Sequence, residues 1–327
     1  MTDGRLLVTG SSGHLGEALV RCLSAEGRDV IGLDMVPAPS TSVVGSVTDR
    51  ELVRHCLRDV HAVIHAATLH KPHLASHTRA AFIETNVTGT LTLLEESVAA
   101  GVDRFVFTSS TSAFGRSLGS GHGEAAVWIN EGVVPLPRNV YGVTKIAAEN
   151  LCEVISLDHA LPVVVLRVSR FFPEGDDNDD VRHRYPDGNV KANEMLYRRV
   201  DLQDAVDAHR CALARAPEIG FGTYIISAAT PFVPTDADEL GRDAPGVVRR
   251  VFPDYEAEYS LRGWAMFPRV DRVYDSSRAR SELGWSPRYD FRHIVDLLKS
   301  GQDPRSPLAA AIGVKGYHPT PTGIYTT

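Results

Sequence analysis

Along the first half of the chain, short apolar runs alternate with stretches in which apolar residues recur every three or four positions. The runs, bounded by glycine or polar residues, predict strands at 5–9, 29–33, 62–66, 104–109 and 162–168. Between them, spacing such as Ala18, Leu19, Cys22 and Leu23 predicts amphipathic helices. Strands alternating with helices call for a parallel sheet covered on both faces. The pattern breaks beyond Arg167, where residues 171–180 are polar and turn-rich and predict a loop. Residues 200–209 resume helical spacing and 223–227 read as another strand, so the chain returns to the sheet. Terminal helices are expected at 279–283 and 293–298, around Gly284-Trp285-Ser286-Pro287, with an extended arm after Ser300. The expected fold is α/β: a doubly wound parallel sheet from residues 1–170 and returning segments near 200–228, with a smaller mixed lobe from 171–199 and 229–327.

The first strand runs directly into Gly10-Ser-Ser-Gly13-His-Leu-Gly16 and then into a helix. Glycines permit a tight turn and close approach of a pyrophosphate, while the N–H groups and positive dipole end of the helix face an anion. The second strand ends near Asp34, where a carboxylate accepts hydrogen bonds from the adenosine ribose hydroxyls and repels a 2′-phosphate. Neither Met35 nor Val36 offers a cation for that phosphate, so the expected cofactor is NAD and the first unit is an NAD-binding Rossmann domain. A second constellation lies in Val140-Tyr141-Gly-Val-Thr-Lys145, where a phenol and an ammonium four residues apart share one helix face. A free phenol ionises near pH ~10, and an adjacent cation stabilises phenolate, so Lys145 is expected to draw the Tyr141 pKa towards neutrality.

Charge and composition narrow the partners. A net charge of −7 with basic residues scattered among acids offers no stripe for nucleic acid. No apolar run reaches the length of a membrane span and the N-terminus has no signal-peptide core, so a soluble, cytoplasmic protein is expected. Cys22, Cys56, Cys152 and Cys211 lie in helical contexts without paired spacing and are expected as buried thiols. The six histidines from His55 to His77 lack a repeated ligand spacing, and no metal site is expected.

Taken together these residues resemble the extended short-chain dehydrogenase/reductase family, which includes nucleotide-sugar 4-epimerases. His65-Ala66-Ala67 is similar to its fourth-strand motif, Asn86-Val-Thr-Gly-Thr90 to its helix asparagine motif, and Ser109-Ser110-Thr111-Ser112-Ala-Phe-Gly115 to its serine segment. The resemblance implies that Ser110 holds the substrate oxygen, Tyr141 transfers its proton, and Lys145 tunes Tyr141 and binds the nicotinamide ribose. It places Gly10, Ser12, Gly13, His14, Leu15, Gly16, Asp34, Ser46, Val47, His65, Ala66, Ala67, Asn86, Tyr141 and Lys145 at the cofactor. His70, Lys71, Thr111, Ser112, Phe171, Arg198, Arg199 and Arg269 are candidate substrate contacts, and the smaller lobe becomes the substrate lobe. A homodimer through helices around 86–100 and 141–157 is implied in the same way.

The dehydratases of that family carry Asp and Glu after the catalytic hydroxyl, where this chain has Thr111 and Ser112. What remains is oxidation at one carbon, either reversed on the opposite face, as in sugar 4-epimerisation, or completed as net dehydrogenation of a sugar or other small alcohol. A cofactor-sensing protein without catalysis is the remaining alternative, opposed by the intact Ser110, Tyr141 and Lys145. Phe172 occupies the place where the epimerases show asparagine before a proline.

Overall fold

The computed structural model describes residues 4–119, 121, 123–176 and 178–315. Seven strands form one parallel sheet: β1 (Arg5–Thr9), β2 (Val30–Asp34), β3 (Val43–Val44), β4 (Val60–His65), β5 (Arg104–Ser110), β7 (Val163–Val168) and β8 (Phe221–Ile226). Their spatial order is β3-β2-β1-β4-β5-β7-β8, so the winding reverses between β1 and β4. A crevice forms outside the strand C-termini at such a reversal. Two short strands, β6 (Val127–Ile129) and β9 (Arg272–Tyr274), pair in parallel in a separate ribbon.

Side chains of a strand alternate between faces, and the two faces feed different cores. Leu6, Val8, Ile64, Val106 and Leu166 pack under the helices His14–Ala25 and Leu202–Ile219. Leu7, Val63, Phe105, Phe107 and Val165 pack under Gly89–Ala100 and Val140–His159. All six residues of β7 are buried, as expected of a strand covered on both sides. Each fully buried Leu, Val or Phe contributes ~1.5–3 kcal/mol relative to exposure. A third core gathers Leu196, Val247, Val248, Tyr259, Val273 and Phe291 from the later part of the chain.

Two expectations change. Ala279, Leu283, Trp285 and Ile312, expected in the smaller lobe, pack into the sheet core, and the Trp285 indole donates to the Asp204 carbonyl at 2.9 Å. The arm after Ser300 contains a helix, Pro307–Ile312, because Ser306 caps it through the Ala309 amide, Pro307 presets its first turn and alanines follow. The part of the arm beyond Lys315 lies outside the described residues. Cys56 and Cys152 are buried, whereas Cys22 and Cys211 are only half-buried on their helices, and all four are free thiols. No helix among the described residues is long and apolar enough to cross a membrane.

Candidate active site

A cleft of about 930 Å³ opens at the C-terminal ends of the sheet strands. Of the sequence-predicted residues it brings together Gly10, Ser12, Gly13, His14, Leu15, Gly16, Asp34, Ser46, Val47, Ala66, Ala67, His70, Lys71, Ser110, Thr111, Ser112, Tyr141, Lys145, Phe171 and Arg198. These come from eight separate stretches of chain, most of them aligned because parallel strands end at a common edge.

The glycine turn is shaped first by its own packing. Gly10 has φ +71°, and a Cβ there would stand 2.6 Å from the Ala67 amide nitrogen. A Cβ on Gly16 would stand 1.9 Å from the Gly10 carbonyl oxygen, so the helix can seat against the turn only without a side chain. Gly13 is the N-cap and provides no side-chain cap, which leaves the first-turn N–H groups facing the cleft. The Asp34 carboxylate is oriented by the Ser12 amide at 3.0 Å and the Val36 amide at 2.9 Å, and Met35 and Val36 beside it are exposed and uncharged. This donor and acceptor set fits a dinucleotide with a free 2′-hydroxyl: amides and a helix N-terminus for the pyrophosphate, a carboxylate for the ribose.

The helix Val140–His159 begins where the Asn139 side chain caps the Gly142 amide at 3.0 Å, placing Tyr141 in its first turn and Lys145 one turn on. Both side chains are buried, at 6% and 2% exposure, and face the end of β5. The Ser110 side chain lies close enough to the Tyr141 phenol to favour its ionised form. Lys145 Nζ donates to the Thr108 carbonyl at 2.9 Å and lies 4.7 Å above the Phe107 ring. Burial pushes the phenol up to about 12, partly opposed by Ser110. Burial also lowers the ammonium to about 7, against the Coulombic pull of Glu149. The expectation that Lys145 brings the phenol towards neutrality is therefore corrected: the ammonium is drawn towards β5, and desolvation dominates both groups.

Four expected contacts fall outside the cleft lining. His65 closes β4 with its ring turned into the protein, between Thr9 Oγ1 at 2.7 Å and Thr90 Oγ1 at 2.9 Å, and burial lowers its pKa to about 3. Asn86 sits in a π-helical turn, Glu84–Thr88, and holds Leu69 through its amide and carbonyl, each at 2.8 Å, and Thr144 Oγ1 at 3.0 Å. It therefore positions the segment after β4 against the Tyr141 helix instead of lining the cleft. Arg199 lies behind the loop that follows β7, with Nε 2.8 Å from Glu194 and Nη1 2.9 Å from the Phe172 carbonyl. Arg269 reaches the Gly121 carbonyl at 3.4 Å, away from the cleft. Arg198 does line the cleft, but its Nη2 is paired with Glu194 at 2.8 Å.

Residues beyond the sequence-predicted set also line it. The Phe172 ring stacks on His70 at 5.4 Å and meets His14 edge-on at 5.5 Å, bridging the glycine-turn helix and the segment after β4. Glu174 of the same loop pairs with His14 at 3.0 Å and accepts the Lys315 amide at 3.1 Å. Arg272 and Tyr274 enter from β9. The oddity of phenylalanine at position 172 was the one usable signal; the β9 residues carried none, since no local pattern ties them to the sheet edge.

The fold and this cleft define a dinucleotide-dependent α/β protein. Residues 6–220 match the NAD dependent epimerase/dehydratase family, and the chain belongs to that family of NAD-dependent enzymes. A UDP-glucose 4-epimerase of Rhizobium meliloti is 31% identical over 335 residues, covering 90% of this chain and 96% of that protein. An NAD-dependent glucose-6-phosphate dehydrogenase of Haloferax volcanii is 30% identical over 183 residues, covering 51% of this chain and 68% of that protein. In fold the chain is similar to a short-chain dehydrogenase/reductase superfamily protein of Agrobacterium tumefaciens solved with bound NAD, at TM-score 0.65 and 23% identity, over 90% of this chain and 96% of that one.

Proposed function

We propose that the protein is a nucleotide-sugar 4-epimerase acting by hydride transfer at a sugar carbon. One observation carries the reading: Ser110, Tyr141 and Lys145 line the same cleft as the glycine turn and Asp34, so proton transfer and dinucleotide binding share one chamber. Bound NAD supplies the hydride acceptor. Ser110 would hold the reacting hydroxyl by a hydrogen bond, and Tyr141 would take its proton in the phenolate form, which the positive charge that oxidised NAD brings into the cleft favours against burial. Lys145, held on the Thr108 carbonyl one helical turn from Tyr141, adds positive charge to the chamber when protonated. With the hydride returned to the opposite face, Tyr141 would give the proton back to the same oxygen, leaving the epimer with no net redox change.

The near full-length similarity to a UDP-glucose 4-epimerase supports this reading. Thr111 and Ser112 stand where a dehydratase needs an acid and a base, which disfavours water loss. A second reading, net dehydrogenation of a smaller sugar, is favoured by the Phe172 ring stacked on His70 inside the cleft. The lobe around the third core is assigned to substrate binding, and the exposed Val143, Val154 and Leu157 of the Tyr141 helix to a homodimer contact.

The deciding experiment incubates the purified protein with UDP-glucose, UDP-galactose and free sugars, following both epimer formation and NADH release. Epimer without NADH supports the proposal; NADH in step with substrate consumed replaces it with dehydrogenation. Tyr141→Phe should lower kcat roughly 10²–10⁴-fold. Full activity in that variant would remove Tyr141 from the chemistry.

A further inference from the structure

Three consecutive residues at the end of β5 meet three residues spaced one turn apart on the helix Val140–His159. Ser110 stands beside Tyr141, the Thr108 carbonyl accepts from Lys145, and the Ser109 hydroxyl donates to the Glu149 carboxylate. The first two belong to the proposed chemistry; Glu149 has no part in it so far. It is 6% exposed, and Arg167 of β7, itself 7% exposed, grips it through Nη2 at 2.7 Å and Nε at 3.2 Å. The Arg167 guanidinium in turn lies 5.0 Å from the centre of the Phe114 ring, in the turn that follows Ser110. A carboxylate here is costly to bury unless it is paired and hydrogen-bonded, and it is both.

We propose that Glu149 is a positioning residue for the Tyr141 and Lys145 pair: clamped by Ser109 and Arg167, it fixes the register of the helix on β5 and supplies the negative charge that seats the Lys145 ammonium. The inference rests on the role proposed for Tyr141 and Lys145. Among the described residues, the ionisable groups whose charge bears on the ammonium are Glu149 and the Cys152 thiol on its own helix. His65 of β4 feels Lys145 and is held neutral by burial, and Arg167 of β7 is ion-paired with Glu149, which weakens the pull of the carboxylate on the ammonium without cancelling it. The phenol of Tyr141, pushed up by burial, is uncharged near neutral pH. Glu149 is thus the charged partner that favours the protonated lysine. The same carboxylate ties β5, β7 and the helix at one point, so the spacing between Ser110 and Tyr141 depends on it.

The test reads Lys145 directly, by NMR titration of lysines labelled at Cε, in wild type, Glu149→Gln and the double variant Glu149→Gln/Arg167→Met. The amide of the first variant keeps the shape while deleting the charge; the double variant also removes the arginine left unpaired, and reports if the single variant fails to fold. The expected result is a Lys145 pKa lower by about one pH unit or more in either variant. The alkaline limb of kcat should move down in step, and Glu149→Asp, which keeps the charge, should restore the wild-type titration. An unchanged Lys145 titration in both variants would overturn the proposal. Activity surviving Tyr141→Phe would instead sink the proposed chemistry while leaving the titration result standing, so the two failures are separable.

Discussion

Lys145 is an ammonium in a nearly dry site with a carbonyl, an aromatic face and a carboxylate one turn away as compensation, and burial outweighs them, which lowers its pKa. The consequence for stability has a definite sign. Between about 7 in the folded protein and the ordinary lysine value, the unfolded chain binds the proton and the folded one does not. Stability therefore rises with pH across that window. Relative to Lys145→Met, the unfolding free energy of the wild type should rise by a few kcal/mol from neutral to alkaline pH, at ~1.4 kcal/mol for each pH unit between the two pKa values. Urea denaturation of both proteins at several pH values checks this, and parallel curves would refute it. Asp34 gives a second residue-scale prediction. Its carboxylate is fixed by two backbone amides at the cleft rim with uncharged neighbours, so the wild type should bind NAD more tightly than NADP and Asp34→Ala should narrow the difference. Equal affinities in the wild type, by calorimetric titration, would refute the assignment.

At the scale of elements, what could be read in advance follows the length of the signal. The strands of the sheet centre are long and continuously apolar, and their positions at 5–9, 62–66, 104–109 and 162–168 fall within two residues of β1, β4, β5 and β7. β3 has two residues and β6 and β9 have three each, too few for a period to register, and β6 pairs with β9, which lies far along the chain. The site divides in the same way. Tyr141 and Lys145 show as a pair because one helix holds both, and the turn from Gly10 to Gly16 because its glycines are consecutive with a strand. His65 and Asn86 were placed in the right neighbourhood but assigned the wrong contacts, since residue spacing does not say which way a ring or an amide turns. The glycine turn also yields a prediction about packing. Gly16→Ala puts a methyl against the Gly10 carbonyl, backbone on both sides with no flexible tip to yield. It should cost roughly 1–3 kcal/mol of stability and weaken NAD binding together, by thermal unfolding with and without NAD. A variant with wild-type melting and affinity would show that the turn relaxes freely.

Across the whole molecule, the cleft is lined by the ends of the sheet strands and by later residues such as Arg198, Arg272 and Tyr274, and the loop after β7 lines it as well. Basic side chains hold the carbonyls of that loop: Arg199 at Phe172 at 2.9 Å, Lys191 at Pro173 at 2.5 Å, and Arg182 at Asp176. Glu194 is fully buried and in contact with Arg170 at 2.9 Å and with Arg198 and Arg199 at 2.8 Å each. Burial alone would raise its pKa, but the three guanidinium groups hold it well below the usual carboxylate range. A carboxylate depressed in this way contributes stability that is complete above the ordinary glutamate value and lost as pH falls below about 4. Glu194→Gln leaves the arginines without their shared counter-charge, which should cost roughly 3–5 kcal/mol at neutral pH and shrink to a smaller difference in acid. Because Arg199 carries the Phe172 carbonyl, the same variant should loosen the ring stacked on His70 and weaken NAD binding even under conditions where the protein remains folded. Denaturation at neutral and acid pH, combined with NAD titration of the folded variant, separates the two effects. Lost stability with unchanged NAD affinity would mean that the ionic cluster around Glu194 holds the fold without governing the cleft.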